Sequence, residues 1–151
     1  MKSNYYKITA LATDDYRVRL RVARNPNTPQ ESLSILATDD EYDVRLAVAR
    51  NPNTPQEILS ILATDEDLCV HLGVAQNLNT SQETLSILAT DDYRVRLAVA
   101  RNLNTSQETL SILATDEDLC VRLGVARNPN TPEDIIFRIK SYEKFEDSIE
   151  K

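Results

Sequence analysis

The sequence predicts an all-α protein, an α-solenoid of about five two-helix repeats of 25–26 residues. The motif Val-Ala-Arg-Asn-Pro-Asn-Thr-Pro begins unchanged at Val22, Val48 and Val125, and looser copies begin at Val74 and Val99. Leu-Ala-Thr-Asp, in the same or a closely similar form, begins at Leu11, Leu36, Leu62, Leu88 and Leu113, with spacings of 25, 26, 26 and 25 residues. A fixed period between 20 and 50 residues is typical of solenoids. Only two Gly occur, and all six Pro lie in the repeated turn.

The repeated turn carries the signals that end one helix and begin the next. In the copy that starts at Val48, Asn51 suits a helix C-terminus in the left-handed conformation. Thr54 is predicted to be the N-cap of the following helix, and Pro55 its first residue. Glu57 stands three residues after Thr54 and would complete a capping box. The same arrangement is expected in every copy.

Each repeat is predicted to hold two short helices. The first runs from about Pro29 to Ala37, with Leu33, Leu36 and Ala37 on one face. The second runs from about Asp40 to Arg50, with a face formed by Val44, Ala47 and Val48. Because both helices are short, either could be partly 3₁₀.

The two ends of the chain depart from the repeat, as the ends of solenoids do. Residues 1–12 are predicted to form an N-terminal capping helix, with Ser3 in the place of the capping Thr and Asn4 to Ala12 as a variant first helix. Residues 13–131 form the repeats. Residues 132–151 are predicted to form one longer amphipathic capping helix, Glu133 to Ile149, whose apolar residues are Ile136, Ile139, Phe145 and Ile149. The whole chain is thus expected to be a single repeat domain.

Composition limits the possible functions. The formal charge is −7 and no Lys/Arg block occurs, which disfavours nucleic acid as the main partner. No 18-residue apolar run and no apolar signal segment are present, so no membrane span is expected and a cytoplasmic location is the default expectation. Cys69 and Cys120 share a register two repeats apart, roughly 20 Å by helix packing distances, too far for a disulfide. Two Cys and one His do not form a zinc cluster. We therefore expect no metal and no cofactor.

The repeat resembles the leucine-rich repeat variant family. The matching residues are Leu36-Ala37-x-Asp39, followed by Val44-Arg45-Leu46-Ala47-Val48-Ala49-Arg50-Asn51-Pro52-Asn53-Thr54-Pro55. The resemblance covers residues 8 to 136. It implies alternating short α and 3₁₀ helices wound into a right-handed superhelix, similar in design to HEAT-type repeats, which bind proteins and sometimes nucleic acid. One type of family member has an N-terminal iron–sulfur cluster held by cysteines. This chain has no Cys before position 69, so that cluster is not expected.

Two repeated polar rows are predicted to be structural. The Asn row is expected to satisfy backbone groups of the turns in neighbouring repeats. It comprises Asn25, Asn51, Asn77, Asn102 and Asn128. An Arg row is expected to pair with a recurring Asp row, because a guanidinium beside a carboxylate suits a bidentate pair. The Arg row is Arg19, Arg45, His71, Arg96 and Arg122, and the Asp row is Asp14, Asp39, Asp65, Asp91 and Asp116. His71 is interpreted as a substituted member of the row rather than as a catalyst.

Three further rows on the second helices form the candidate binding site. A Leu row points nearly opposite the core-facing Val residues, with Tyr or Leu four residues before it and Arg or Gln four residues after it. An exposed apolar strip with a charged rim is typical of an interaction site, and interfaces favour Tyr and Arg. The alternative is that the Leu row is buried between successive repeats. The predicted binding residues are Tyr16, Leu20, Arg24, Tyr42, Leu46, Arg50, Leu72, Gln76, Tyr93, Leu97, Arg101, Leu123 and Arg127.

One register on the same helices differs between copies, and it reads Arg17, Asp43, Cys69, Arg94 and Cys120. It could encode a particular partner, or reflect drift at an idle surface position. The carboxylates are spread one cluster per turn instead of converging in a pocket, so we do not expect an enzyme. The sequence favours a non-enzymatic scaffold that binds a protein or peptide partner. The alternative is a nucleic-acid-binding repeat protein that uses the exposed Arg row.

Overall fold

The computed structural model describes residues 15–149, with side chains as far as residue 141. This part of the chain holds ten α-helices and no strand. Five helices have nine residues: α1 (Tyr16–Arg24), α3 (Tyr42–Arg50), α5 (Leu68–Gln76), α7 (Tyr93–Arg101) and α9 (Leu119–Arg127). Four have seven residues: α2 (Gln30–Leu36), α4 (Gln56–Leu62), α6 (Gln82–Leu88) and α8 (Gln107–Leu113). The last, α10 (Glu133–Ile149), has seventeen residues.

The nine-residue helices stack directly on one another along the chain, and each seven-residue helix packs against the nine-residue helices that precede and follow it. The core lies between these two layers. It receives Leu33 and Leu36 from α2 and Val44 and Val48 from α3, and the equivalent residues of later repeats are buried in the same way. Both predicted apolar faces are therefore confirmed, and so is the all-α solenoid.

The prediction of a left-handed Asn at the end of each second helix is wrong. Asn51 is extended, with φ −71° and ψ 127°, and no residue among those described has a positive φ. Pro52 favours this conformation in the residue before it, but Asn77 and Asn102, which precede Leu, are equally extended. The reason common to all copies is a set of hydrogen bonds between repeats. The extended backbone turns the Asn51 side chain back towards the preceding repeat. Its amide donates to the carbonyls of Ala23 and Asn25, at 2.7 and 2.9 Å.

A second Asn row was not recognised in the sequence. Asn53 donates to the carbonyl of Thr28 at 2.8 Å, and Asn79 donates to that of Pro52 at 2.6 Å. The backbone amide of each such residue also bonds to the first Asn of its own turn, as Asn53 does to Asn51 Oδ1 at 2.8 Å. Both Asn residues of the turn therefore connect consecutive repeats, which confirms and extends the predicted structural role.

The prediction that Thr54 caps the following helix is also wrong. Its backbone amide already donates to the Asn51 carbonyl at 3.1 Å, and its hydroxyl donates to the Val48 carbonyl at 2.6 Å. Thr54 thus satisfies the end of α3 and not the start of α4. The cap position falls one residue later, on Pro55. In the looser copies it falls on Ser81 and Ser106, and each of these hydroxyls accepts from the backbone amide three residues further along.

Thr54→Val is expected to lower the free energy of unfolding by about 1–2 kcal/mol, because it removes a buried hydrogen bond while keeping the side-chain shape. Thr64→Val in the same repeat is the matched control. Its exposed hydroxyl donates to the Ile61 carbonyl at 2.8 Å, and the change should stay within about 0.5 kcal/mol. Urea denaturation of both variants checks the difference. Equal losses would contradict the buried role assigned to Thr54.

The helices are α-helical throughout the described residues, and hydrogen bonds of the 3₁₀ type occur at the ends of both kinds of helix. After α2, Thr38 and Asp39 donate to the carbonyls three residues back, at 3.3 and 3.2 Å, and after α3 Asn51 does so at 3.0 Å. The second helix of the repeat begins at Tyr42 rather than near Asp40.

The two ends of the solenoid differ in what can be described. The long C-terminal helix is confirmed, but Ile135 lies in the core with Ile139, whereas Ile136 is only half-buried. The predicted capping helix at residues 1–12 lies outside the described residues, and so do the side chains of Phe145 and Ile149.

Candidate functional site

The predicted Arg–Asp row is confirmed, and it crosses from each repeat to the next. Arg19 pairs with Asp39, Arg45 with Asp65 and Arg96 with Asp116, at 2.5, 2.6 and 2.7 Å. Each pair is bidentate, with a second bond near 3.0 Å. Arg45 also donates to the Asp39 carbonyl of its own repeat at 2.8 Å. Arg96 likewise donates to the Asp91 carbonyl at 2.8 Å, so these guanidinium groups are engaged within the fold.

The aspartates of this row serve two purposes. Burial alone would raise the pKa of Asp65, but hydrogen bonds from Arg45 and from the Asp67 backbone amide outweigh it and hold that pKa below its usual range. The bond from Asp67 N to Asp65 Oδ1, at 2.9 Å, also shapes the turn before α5. A different aspartate caps the helix itself, since Asp67 accepts from the Cys69 amide at 2.8 Å. The acidic turns are therefore explained by the fold.

His71 is the exception in the row. Its Nδ1 lies 2.7 Å from Asp91 Oδ2, which confirms the predicted partner row. Its Nε2 is buried and has no hydrogen-bond partner within the described residues. Imidazole is too short to make the additional bond to its own repeat that Arg45 and Arg96 make. His71 thus makes fewer hydrogen bonds than Arg45 and Arg96, the neighbouring members of the row.

His71→Arg is expected to raise the free energy of unfolding by about 1 kcal/mol, because it adds hydrogen bonds to charged groups and removes an unsatisfied nitrogen. For a chain of this size the melting temperature should rise by roughly 2–4 °C. Thermal unfolding followed by circular dichroism checks this. His71→Gln, which also lacks the bidentate geometry, is the control and should give no gain. A lower melting temperature for His71→Arg would show that the site cannot accommodate an arginine side chain.

The candidate binding rows lie on the solvent side of the nine-residue helices, which we call the arginine face. Tyr16, Tyr42 and Tyr93 are 39–46% exposed. The row of Arg24, Arg50, Gln76, Arg101 and Arg127 is exposed throughout. The Leu row is half-buried, and Leu20, Leu46, Leu72 and Leu97 pack against the core. Each of the two alternatives for this row therefore holds in part.

Grooves run between neighbouring helices on this face. One, of about 140 Å³, is lined by residues that include Arg24, Leu46, Ala47 and Arg50. Another, of about 360 Å³, is lined by residues that include Leu72, Gln76, Leu97, Ala98 and Arg101. Ala47 and Ala98 occupy the same register, so these grooves lie two repeats apart.

The nine-residue helices that follow those of Ala47 and Ala98, α5 and α9, have Gly at that register. A Cβ on Gly73 would lie 2.9 Å from Leu46 Cδ1, and a Cβ on Gly124 would lie 3.0 Å from Leu97 Cδ1. Leu46 and Leu97 therefore press closely onto the next helix at these positions. The alternation of Ala and Gly gives the face a period of two repeats.

Comparisons with known proteins agree with the repeat geometry. The family model described as leucine rich repeat variant matches residues 16–41, 42–67 and 93–118, more than half of the chain. The chain belongs to the leucine-rich repeat variant family. One solved structure, described as a leucine-rich repeat variant with a novel repetitive protein structural motif, is 24% identical. It aligns over 86% of this chain and 67% of its own, with a TM-score of 0.40. No match was found among curated proteins.

The variable register of this leucine-rich repeat variant lies beside the Tyr row. Arg17, Cys69, Arg94 and Cys120 are exposed, whereas Asp43 is half-buried and lines the smaller groove. Both cysteines are free and exposed. Arg94 lies over the Tyr93 ring, 5.9 Å from its centroid, and pairs with Asp92 at 2.9 Å. Residues of this register thus contribute to the edges of the grooves.

Sequence reasoning missed a second exposed row in this leucine-rich repeat variant. The seven-residue helices and the start of α10 present one large apolar side chain per repeat, which together we call the isoleucine face. Its residues, with exposures from 50% to 74%, are Ile35, Ile61, Ile87, Ile112 and Phe137. A signal was available, because Ile35 follows Leu33 by two positions and therefore points away from it on a helix.

The described part of this leucine-rich repeat variant lacks two further features. No group of three or more His, Cys, Asp or Glu side chains there is arranged to hold a metal ion. None of the helices described has both the length and the apolar character needed to cross a membrane.

Proposed function

We propose that this chain is a non-enzymatic repeat scaffold that binds an acidic, partly apolar segment of a partner protein along the arginine face. The observation that carries the proposal is the pair of grooves two repeats apart, each bordered by exposed arginines. A helical repeat array offers such an extended surface because every repeat presents the same positions in turn.

The charges on this face favour an acidic partner. Within residues 15–141, Arg24, Arg50 and Arg101 take part in no ion pair, in contrast to the arginines of the Arg–Asp row. An arginine can hold a carboxylate through two parallel hydrogen bonds. The free guanidiniums therefore supply orientation and selectivity for carboxylates.

The apolar part of the surface comes from the Tyr and Leu rows. Tyr93 offers a large, rigid contact area, and the exposed edges of Leu72 and Leu97 line the larger groove. Interfaces are enriched in Tyr and Arg. Binding would complete the burial of Leu side chains that the fold only half covers.

The two-repeat period sets the spacing expected in the partner. Two steps between packed helices correspond to roughly 20 Å. An extended peptide covers that distance in about six residues. The expected ligand thus carries apolar side chains about six residues apart, with Asp or Glu beside them.

Selection from a random peptide library displayed on phage tests the proposal. We expect enriched peptides to be acidic and apolar with this spacing, and Leu72→Asp to abolish their binding to a folded protein. Arg101→Gln, at an exposed position, should weaken binding at least tenfold without altering the fold. Ile61→Asp, the same kind of change on the isoleucine face, is the matched control and should leave binding intact.

Two results would contradict this function. One is selected peptides that bind wild type and Leu72→Asp equally. The other is single-stranded DNA or RNA that binds at micromolar concentration and physiological salt, with a steep salt dependence. The second result would favour the nucleic-acid alternative, in which the exposed arginines of the arginine face contact phosphates and the Tyr row stacks on bases.

A further inference from the structure

We infer that the isoleucine face is a second docking surface, and that its occupant is a basic amphipathic helix of another protein. This surface is separate from the arginine face, because it lies on the seven-residue helices and not on the nine-residue helices. The four isoleucines are 50–63% exposed and Phe137 is 74% exposed, although the Leu residues beside them are almost completely buried. The fold therefore does not require apolar side chains at these positions.

An acidic row runs beside the isoleucines. A Glu lies four residues before each apolar residue, on the same side of its helix. The members are Glu31, Glu57, Glu83, Glu108 and Glu133, and all are exposed. None of them takes part in an ion pair within residues 15–141. Helices α2, α4, α6 and α8 contain no Lys or Arg, so this negative charge is not compensated on its own helices.

The polar neighbours of the isoleucines are occupied within their own helices. Ser60 donates to the Glu57 carbonyl at 2.8 Å, and Thr64 donates to the Ile61 carbonyl at 2.8 Å. The groups on this face that remain open to a partner are therefore the apolar side chains and the carboxylates. Apolar contact combined with positive charge is the complement of such a surface.

The spacing of the rows favours a helix as the occupant. Neighbouring repeats are separated by roughly 10 Å. Seven residues of α-helix advance about 10.5 Å. A helix lying along the face with one apolar residue per heptad, and Lys or Arg beside it, would meet one apolar residue and one Glu in each repeat. Five repeats correspond to a partner helix of roughly 28–35 residues.

A second copy of this chain fits less well. Its arginine face carries the required charges, but two chains of formal charge −7 repel one another. A basic partner is attracted by the same net charge. Self-association is therefore treated as a competing outcome of the experiment.

Fluorescence anisotropy with three labelled 28-residue peptides tests this inference. The first repeats a heptad with Leu on one side and Lys flanking it, the second has the same composition in scrambled order, and the third replaces Lys by Glu. We expect only the first to bind tightly. The double variant Ile61→Asp/Ile87→Asp should weaken its binding at least tenfold. The triple variant Glu57→Gln/Glu83→Gln/Glu108→Gln should reduce its salt dependence.

Leu72→Asp should leave this binding unchanged, so that failure here is separable from failure of the proposed function. Equal binding of the scrambled peptide would reduce the interaction to nonspecific charge attraction and overturn the inference. Unchanged binding by Ile61→Asp/Ile87→Asp would do the same. Sedimentation analysis supplies the remaining outcome: an oligomer of the wild type that this double variant abolishes would assign the face to self-association instead. If the double variant loses helicity, Ile61→Ser/Ile87→Ser takes its place.

Discussion

Asn77→Asp is expected to lower the free energy of unfolding by about 3–5 kcal/mol, the range for an uncompensated buried charge. The Asn77 amide donates to the carbonyls of Ala49 and Asn51, at 2.7 and 3.0 Å, and the residue is 7% exposed. Aspartate has nearly the same shape and keeps the oxygen that accepts from the Asn79 amide at 2.9 Å. The substitution replaces the Asn77 amide donor by a carboxylate oxygen that faces the Ala49 and Asn51 carbonyl oxygens. The Asn51 carbonyl keeps the Thr54 amide as a donor at 3.1 Å, but both carbonyls then face a carboxylate across the contact between repeats.

Asn27→Asp is the matched control, because Asn27 is exposed and its side chain makes no hydrogen bond within the described residues. That change should stay within about 0.5 kcal/mol. Chemical denaturation of both variants at neutral pH measures the difference. A loss at Asn77 as small as that at Asn27 would mean that the Asn row does not hold the repeats together. Asn77→Ala, which removes the donor without adding charge, should fall between the two.

Leu85→Ala is expected to cost about 3–4 kcal/mol, because a fully buried Leu leaves a cavity that its surroundings fill only in part. Leu85 lies on α6 with no exposed surface, at the boundary between the two helix layers. Since a solenoid has no single central core, each repeat depends on a few such residues. The loss should appear in thermal and denaturant unfolding alike.

Ile87→Ala, two residues further along the same helix, is the control. Ile87 is 59% exposed, so truncation should change stability by less than about 0.5 kcal/mol. The pair also serves the docking inference, because it shows whether the isoleucine face can be altered without harming the fold. If Ile87→Ala destabilised the protein as much as Leu85→Ala, the isoleucines would belong to the core.

Much of the fold follows from spacing alone. The i, i+3, i+4 pattern placed Leu33, Leu36, Val44 and Val48 in the core, because helical periodicity determines which side chains share a face. The turn was harder to predict, since the side chains of Asn51 and Thr54 can hydrogen-bond to several different backbone amides and carbonyls. The Asn side chains reach the preceding repeat from an extended backbone even where Leu follows, as at Asn77 and Asn102. A Thr amide that was already bonded excluded the capping box.

The candidate site was predictable only in part. Helical spacing gave the Tyr, Leu and Arg rows, but the degree of burial of Leu72 depends on how closely the next helix approaches. That distance is set by the alternation of Ala47 and Ala98 with Gly73 and Gly124. The isoleucine face escaped notice because Ile is ordinarily a core residue, and its exposure shows only when the helix is placed in the array.

The bonds between repeats give the array a direction. Carbonyls at Ala23 and Asn25 receive their donors from Asn51, and the guanidinium of Arg19 receives its carboxylate from Asp39, so each repeat is completed by the one that follows it. During synthesis each repeat emerges before the next one, which carries its hydrogen-bond partners. A growing chain therefore acquires its contacts one repeat at a time. The polar groups of the most recently synthesised repeat are those that still lack partners. The long helix α10 packs on α9 and follows the same turn that precedes each seven-residue helix.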